Sequence, residues 1–141
     1  MLDKSTEEMV EWLGRRDPDY LLTHPTVVAS LTRYCRERGI RFNKLKEVMT
    51  LSEILPPDLR ESVRQVWDVK LSDMYSGREV GYITLQCPDY PHYHVMAEGI
   101  FVEVLDDNDR PVGPGETGRV VLTTLHNFAQ PLIRYEIGDY A

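Results

Sequence analysis

Several groups of residues in this chain have types and spacings that could do chemistry. Cys87-Pro88-Asp89-Tyr90-Pro91-His92-Tyr93-His94 puts a thiol and two imidazoles within one loop. Zinc accepts such ligands, which makes Cys87, His92 and His94 a candidate zinc set, with Glu98 or His126 available to complete a tetrahedron. There is no C-x-x-C pair, and loop histidines are commonly just hydrogen-bonded or solvated, so that reading stands beside the metal one. Tyr75-Ser76-Gly77-Arg78-Glu79-Val80-Gly81 offers a flat aromatic face for a base and a hard carboxylate for Mg²⁺. On physics alone the same residues read first as an ordinary polar turn with Arg78 paired to a neighbour. Arg134-Tyr135-Glu136-Ile137-Gly138-Asp139 ends on an aspartate that could accept both hydroxyls of a ribose, and alone is also a turn. Gly113-Pro114-Gly115-Glu116-Thr117-Gly118 satisfies G-x-G-x-x-G. A dinucleotide site needs that string between a strand and a helix, whereas here a strand follows and Pro114 lacks an amide to offer phosphate. The string reads as a turn. Ser76 precedes Gly77, but G-x-S-x-G is absent, which leaves an acyl-enzyme hydrolase without support.

The elements that must position these residues fall into two halves. Ser5 and Glu8 have capping-box spacing, and Met9, Trp12 and Leu13 share a helical face up to the break at Asp17-Pro18. Tyr20–Thr23 is a short strand, and His24-Pro25 opens a second helix with a Val27, Leu31, Tyr34, Cys35 stripe that stops at Gly39. Lys46–Leu51 reads as a strand, Pro56-Pro57-Asp58 starts a helix with Leu59, Val63, Val66 and Trp67 inward, and Val69–Tyr75 alternates as a strand. Strands separated by such helices predict a parallel sheet of βαβ units. After residue 80 the helical period disappears. Gly81–Gln86, Gly99–Leu105, Arg119–Leu125 and Leu132–Ile137 all read as strands, with Ile100, Val102 and Val104 on one face and Phe101 and Glu103 on the other. Asp106–Gly118 is a hairpin connection. The expectation is an α/β subdomain over 1–80, followed by a small antiparallel, barrel-like β subdomain over 81–141.

Composition limits the functional classes. The 141 residues are 42% hydrophobic and 28% charged, ordinary for a globular chain with a real core. Sixteen basic against twenty-three acidic residues gives a net charge of -7, which disfavours nucleic-acid binding and a polybasic membrane anchor. No apolar run approaches the ~20 residues that cross a bilayer, and the acidic N-terminus has no signal-peptide core. The expected location is cytoplasmic, where two distant cysteines, Cys35 and Cys87, do not form a disulfide scaffold.

Taken together, the motifs resemble the phenylacetate–CoA ligase-like branch of the adenylate-forming enzymes, the superfamily of acyl-CoA synthetases and luciferase. That branch carries Y-G-x-[ST]-E, then G-E-x-G-[RE]-[LV]-V-x-T, then R-Y-R-x-G-D. Tyr75–Glu79, Gly115–Thr123 and Arg134–Asp139 match these in order and spacing. Lys44–Arg60, with Thr50-Leu51-Ser52-Glu53, is similar to the family's loop near the adenine pocket, and Tyr93-His94-Val95 with Glu98 is similar to L-H-x-x-x-[DE]. The resemblance covers nearly all of the chain. Ser76 replaces a glycine, Arg78 a Thr or Ser, and Glu136-Ile137 an Arg-x pair. The S-G-R-E-V-G form looks closer to members associated with capsular polysaccharide gene clusters.

The resemblance implies roles by position. Tyr75 packs on adenine within the Tyr75, Ser76, Gly77, Arg78, Glu79 segment, Glu79 coordinates the Mg²⁺ of ATP, Asp139 binds ribose, and Ser52 and Glu53 line the nucleotide or acyl pocket. The implied chemistry joins a small carboxylic acid, an aryl acid by family, to ATP, then passes the acyl-adenylate to CoA. The family's T-S-G-[ST]-T-G phosphate loop and its C-terminal catalytic lysine have no counterpart in these residues. The chain is therefore expected to be the central segment of a larger enzyme, a fragment or split gene product inactive alone. It should also self-associate through core surface left exposed. A non-catalytic nucleotide- or partner-binding module and a zinc-stabilised β module remain the alternatives.

Overall fold

A computed structural model describes residues 4–87 and 89–141. Met1-Leu2-Asp3 and Pro88, included in the N-terminal and Cys87–His94 readings, lie outside the described residues. The chain divides into two compact units, Met1–Met74 and Tyr75–Ala141.

The first unit contains α1 (Thr6–Arg16), β1 (Tyr20–Thr23), α2 (Pro25–Arg38), β2 (Glu47–Thr50), α3 (Leu59–Trp67) and the first half of β3 (Lys70–Gly77). The expected capping box forms: Glu8 N–H donates to Ser5 Oγ at 3.2 Å and Ser5 N–H donates to Glu8 Oε2 at 2.8 Å. Two amides left unpaired by helical geometry are thereby satisfied. Asp17 ends α1 in the left-handed region, and its amide donates to the Leu13 carbonyl at 2.7 Å. Pro25 stands at the first position of α2, whose end is set by Gly39 at φ 66°. The strands pair in parallel, β1 with β2 and β2 with β3, aligning Leu21 with Val48 and Val48 with Leu71. Helical side chains cover them in a core that includes Leu13, Val28, Leu31, Cys35, Val63 and Trp67. The inward stripe of α2 is Val28, Leu31, Thr32 and Cys35, with Val27 and Tyr34 only partly covered. Thr32 is tolerated there because its hydroxyl donates to the Val28 carbonyl at 2.9 Å. Among the described residues no helix is long and apolar enough to cross a membrane.

The second unit holds the rest of β3, then β4 (Gly81–Gln86), β5 (Tyr93–Val95), β6 (Ile100–Leu105), β7 (Arg119–Thr124) and β8 (Tyr135–Tyr140). β4 and β5 are antiparallel, and β6-β7-β8 form an open antiparallel sheet. Ile83 of β4 joins Ile100, Val120 and Leu122 of that sheet in a buried cluster. The expected class is found, with two local corrections. The segment read as one loop from Cys87 to His94 contains the start of β5. The last strand is Tyr135–Tyr140 rather than Leu132–Ile137, because Arg134 takes φ 48° and breaks extended backbone just before it. Leu132 instead binds Thr124 through that residue's backbone amide and side-chain hydroxyl. The connection from β6 to β7 is clamped by Arg119, whose guanidinium donates to Asp109 at 2.6 Å and Glu136 at 2.9 Å.

Candidate functional site

β3 alternates by the period of two, so Leu71, Asp73, Tyr75 and Gly77 fall on one side of the strand. Val80 N–H donates to the Gly77 carbonyl at 3.3 Å, closing a tight turn into β4 with Arg78 and Glu79 at its tip. Both are exposed, and among the described residues neither enters an ion pair. The Arg78 ion pair considered from sequence is thus not formed. Gly77 has no room for a side chain, since a Cβ would lie 2.8 Å from Ile137 Cδ1 and 2.9 Å from Val80 Cγ2. The polar strand-to-turn segment is held tightly against β8.

β8 supplies the other half of the site. Its pairing with β7 passes from Arg119↔Tyr140 to Val121↔Glu136, so extra residues bulge around Ile137-Gly138-Asp139. Gly138 has φ 90°, a conformation that L side chains rarely adopt. A bulge re-aims the side chains beside it. Asp139 points at β3, where the Tyr75 hydroxyl donates to its Oδ2 at 2.6 Å. That is the length of a charge-assisted O–H···O⁻ bond. Burial raises the Tyr75 pKa, and the Asp139 carboxylate adds to the rise by accepting that bond. The tyrosine remains a neutral donor throughout the physiological range. Two expected site segments, 64 residues apart, are joined here by one hydrogen bond.

Ser52 and Glu53 belong to the first unit, after β2. Ser52 sits at φ 67° and is exposed. Glu53 accepts from Thr26 N–H and Thr26 Oγ1, each at 3.0 Å, and lies 3.9 Å from His24 Nδ1. His24, the N-cap of α2, makes no side-chain cap bond, and Glu53 supplies that function from a distant loop. A buried polar pair escaped sequence reasoning altogether: the Thr50 hydroxyl donates to Asp73 Oδ1, at register partners near the ends of β2 and β3. The available signal was an aspartate on the inward alternation of β3, two residues before Tyr75.

The Gly113–Gly118 string is a turn. Gly113 N–H donates to Glu116 Oε2 at 2.8 Å, and Gly118 N–H donates to the Ala141 carbonyl at 2.9 Å. The Gly113, Glu116 and Gly118 amides, which a phosphate would call on, are already used.

Cys87, His92 and His94 do converge, with one donor atom from each lying within 4.8 Å of the others. His126 is engaged elsewhere: its Nε2 is 2.8 Å from the Glu98 carbonyl oxygen. Neither His126 nor the Glu98 carboxylate joins the group found among the described residues.

No family profile matches the chain. It is 28% identical over 140 residues to a phenylacetate–coenzyme A ligase of Thermus thermophilus, covering 95% of this chain and 32% of that one. A second phenylacetate–coenzyme A ligase, from Pseudomonas putida, is 25% identical over 142 residues with the same coverage. The chain spans about a third of the length of these curated relatives. Among solved structures, an open conformation of a 2-hydroxyisobutyryl-CoA ligase, in complex with 2-HIB-AMP and CoA, superposes with a TM-score of 0.82. That match has 24% identity and covers 96% of this chain and 33% of the ligase. The similarity to phenylacetate–CoA ligases runs through nearly the whole chain, and its fold is that of the matched third of the 2-hydroxyisobutyryl-CoA ligase.

Proposed function

We propose that this chain is the nucleotide-holding section of an ATP-dependent, AMP-forming acid–CoA ligase. The observation that carries the reading is the Tyr75–Asp139 hydrogen bond, which joins the two segments expected to grip adenine and ribose. Tyr75 offers its ring to the base. A carboxylate has about four acceptor positions, so Asp139 retains capacity for ribose hydroxyls beside the Tyr75 bond. Glu79, exposed at the turn tip and without an ion pair among the described residues, is a hard-oxygen donor suited to the Mg²⁺ of ATP. When bound, that ion supplies charge neutralisation at the phosphates. Ser76 and Gly77 set the backbone path to that tip, and Arg78 adds a positive charge at the phosphate or acyl end. Glu53 fixes the loop after β2 by capping α2, and Ser52 rides on that loop.

The substrate class is a small carboxylic acid, an aryl acid on the similarity to phenylacetate ligases, with CoA as acceptor and the cytoplasm as the place of work. The 141 residues contain no T-S-G-[ST]-T-G string. Preorganised amides of that kind are major stabilisers of charge in the transition state. The chain by itself is therefore expected to bind nucleotide without adenylating.

Isothermal titration with ATP and Mg²⁺ tests the binding claim. Each of Glu79→Gln and Asp139→Ala should weaken affinity by about 10- to 150-fold, the worth of ~1.5–3 kcal/mol for a bond to a charged group. Unchanged affinity in both variants would remove the assigned roles. Pyrophosphate exchange with aryl and acyl acids should give no signal from the chain alone, and robust exchange would contradict the division of labour.

A further inference from the structure

We propose that Cys87, His92 and His94 form a zinc site that fastens the turn between β4 and β5. The inference is independent of the nucleotide reading. The β4–β5 hairpin pairs Thr84↔Val95, Leu85↔His94 and Gln86↔Tyr93. One step further, the Cys87 amide donates to the His92 carbonyl at 2.8 Å, so these two residues face each other across the ladder. Residues opposite one another project to the same side, as do residues two apart. Cys87, His92 and His94 therefore share one face by register, while Tyr93 takes the other.

The donor atoms lie within 4.8 Å of one another. Tetrahedral zinc, with about 2.3 Å to sulfur and 2.0–2.1 Å to nitrogen, needs ligand–ligand separations of roughly 3.3–3.6 Å. Rotation of the imidazoles can close the remaining gap, because both histidines are exposed whereas Cys87 is buried. The rings of His92 and His94 already stand edge to face at 5.1 Å. Among the described residues no hydrogen bond engages either ring, in contrast to His126 and its carbonyl partner. Thiolate with imidazole is a donor set that favours zinc over magnesium or calcium. Binding displaces the thiol proton to solvent, and water completes the fourth position.

The local fold gives the ion a structural task. β5 is three residues long with all three exposed, and among the described residues the fully covered cluster beside it is small, Ile83, Ile100, Val120 and Leu122 with partly buried Tyr75, Val80, Met96, Val102 and Ile137 packed against it. Small units of this kind gain much of their stability from a staple.

The test uses the purified 141-residue chain, loaded with zinc, dialysed at pH 7.5 and measured by elemental analysis. About one zinc per chain is expected. His92→Ala and His94→Ala should each lower zinc affinity by at least about tenfold in competition with a chromogenic chelator. Both positions are exposed, so the fold should tolerate either change, and far-UV circular dichroism checks it. Cobalt in place of zinc should give a thiolate-to-metal absorption band that Cys87→Ser abolishes. Cys35 cannot supply that band, because it is enclosed in the core of the first unit. Substoichiometric zinc after loading overturns the proposal. So does equal retention by the parent chain and both histidine variants, or a cobalt band that survives Cys87→Ser.

Discussion

Gly118 is the position at which an added methyl group should do most damage. A Cβ there would lie 2.6 Å from the Leu105 carbonyl oxygen, 2.8 Å from Val112 Cγ1 and 3.0 Å from the Leu105 carbonyl carbon. Close C–H···O contacts settle at about 3.3–3.6 Å, so the overlap with the Leu105 oxygen is roughly 0.7 Å. That oxygen cannot swing away as a side chain does. Leu105 is fixed opposite Arg119 at the end of the β6–β7 ladder, and Gly118 exchanges two hydrogen bonds with Ala141 at 2.9 and 3.0 Å. Overpacking costs about 1–3 kcal/mol, and a rigid backbone neighbour places Gly118→Ala near the upper end. At about 4–8 °C per kcal/mol for a unit of this size, a cost of about 3 kcal/mol lowers the melting temperature by about 12–24 °C. The assay is urea and thermal unfolding followed by circular dichroism. Tryptophan emission reports only the first unit, where both tryptophans lie at 12 and 67. Gly14→Ala is the control: Gly14 lies within α1, a methyl group there would meet nothing within 4 Å, and the change should stabilise by about 0.5–1 kcal/mol. Gly118→Ala with unaltered stability would refute the packing argument. Weakened nucleotide binding without destabilisation would restore a phosphate role for the glycine string.

Asp106 accepts from the Arg110 amide and from the Asn108 amide, which holds its carboxyl below the usual range. Its contribution is complete above the unfolded-state value, near pH 4, and is lost as pH falls through the folded-state value. Asp106→Asn should consequently flatten the acid limb of a stability–pH curve below about pH 4, with little change in slope near neutrality. Ile83, fully buried, should cost about 2–5 kcal/mol when truncated to alanine, measured as a lower urea midpoint at constant m. Tyr20 and Leu22 are exposed on β1 beside an apolar cavity of about 310 Å³ lined also by Met9, Trp12 and Val27. Light scattering should show concentration-dependent self-association that Leu22→Lys diminishes, and a clean monomer at high concentration would count against it.

What could be read in advance was local. The Ser5/Glu8 box, Pro25 at the start of α2 and Gly39 at its end announce themselves through capping chemistry that needs no tertiary partner. The parallel strands were legible because their apolar residues recur between helices of suitable length. Non-local choices were less visible. The bulge at Gly138 depends on how β8 meets β7, and without it the Tyr75–Asp139 bond would not be inferred. Glu53 as the cap of α2, and Thr50 bound to Asp73, are side-chain bonds between residues far apart in sequence that only the folded backbone brings together. The strand within Cys87–His94 was hidden because two prolines and polar residues suggest a loop, while only three residues extend the ladder.

The cap on α2 has a consequence for anions in general. An open helix N-terminus attracts phosphate through its free amides and partial positive charge. In this chain a carboxylate 27 residues away already occupies the Thr26 amide and hydroxyl. A tethered occupant acts as if present at an effective concentration on the order of millimolar, so free phosphate must outcompete an ion that never diffuses away. The helix carries its own resident counter-anion.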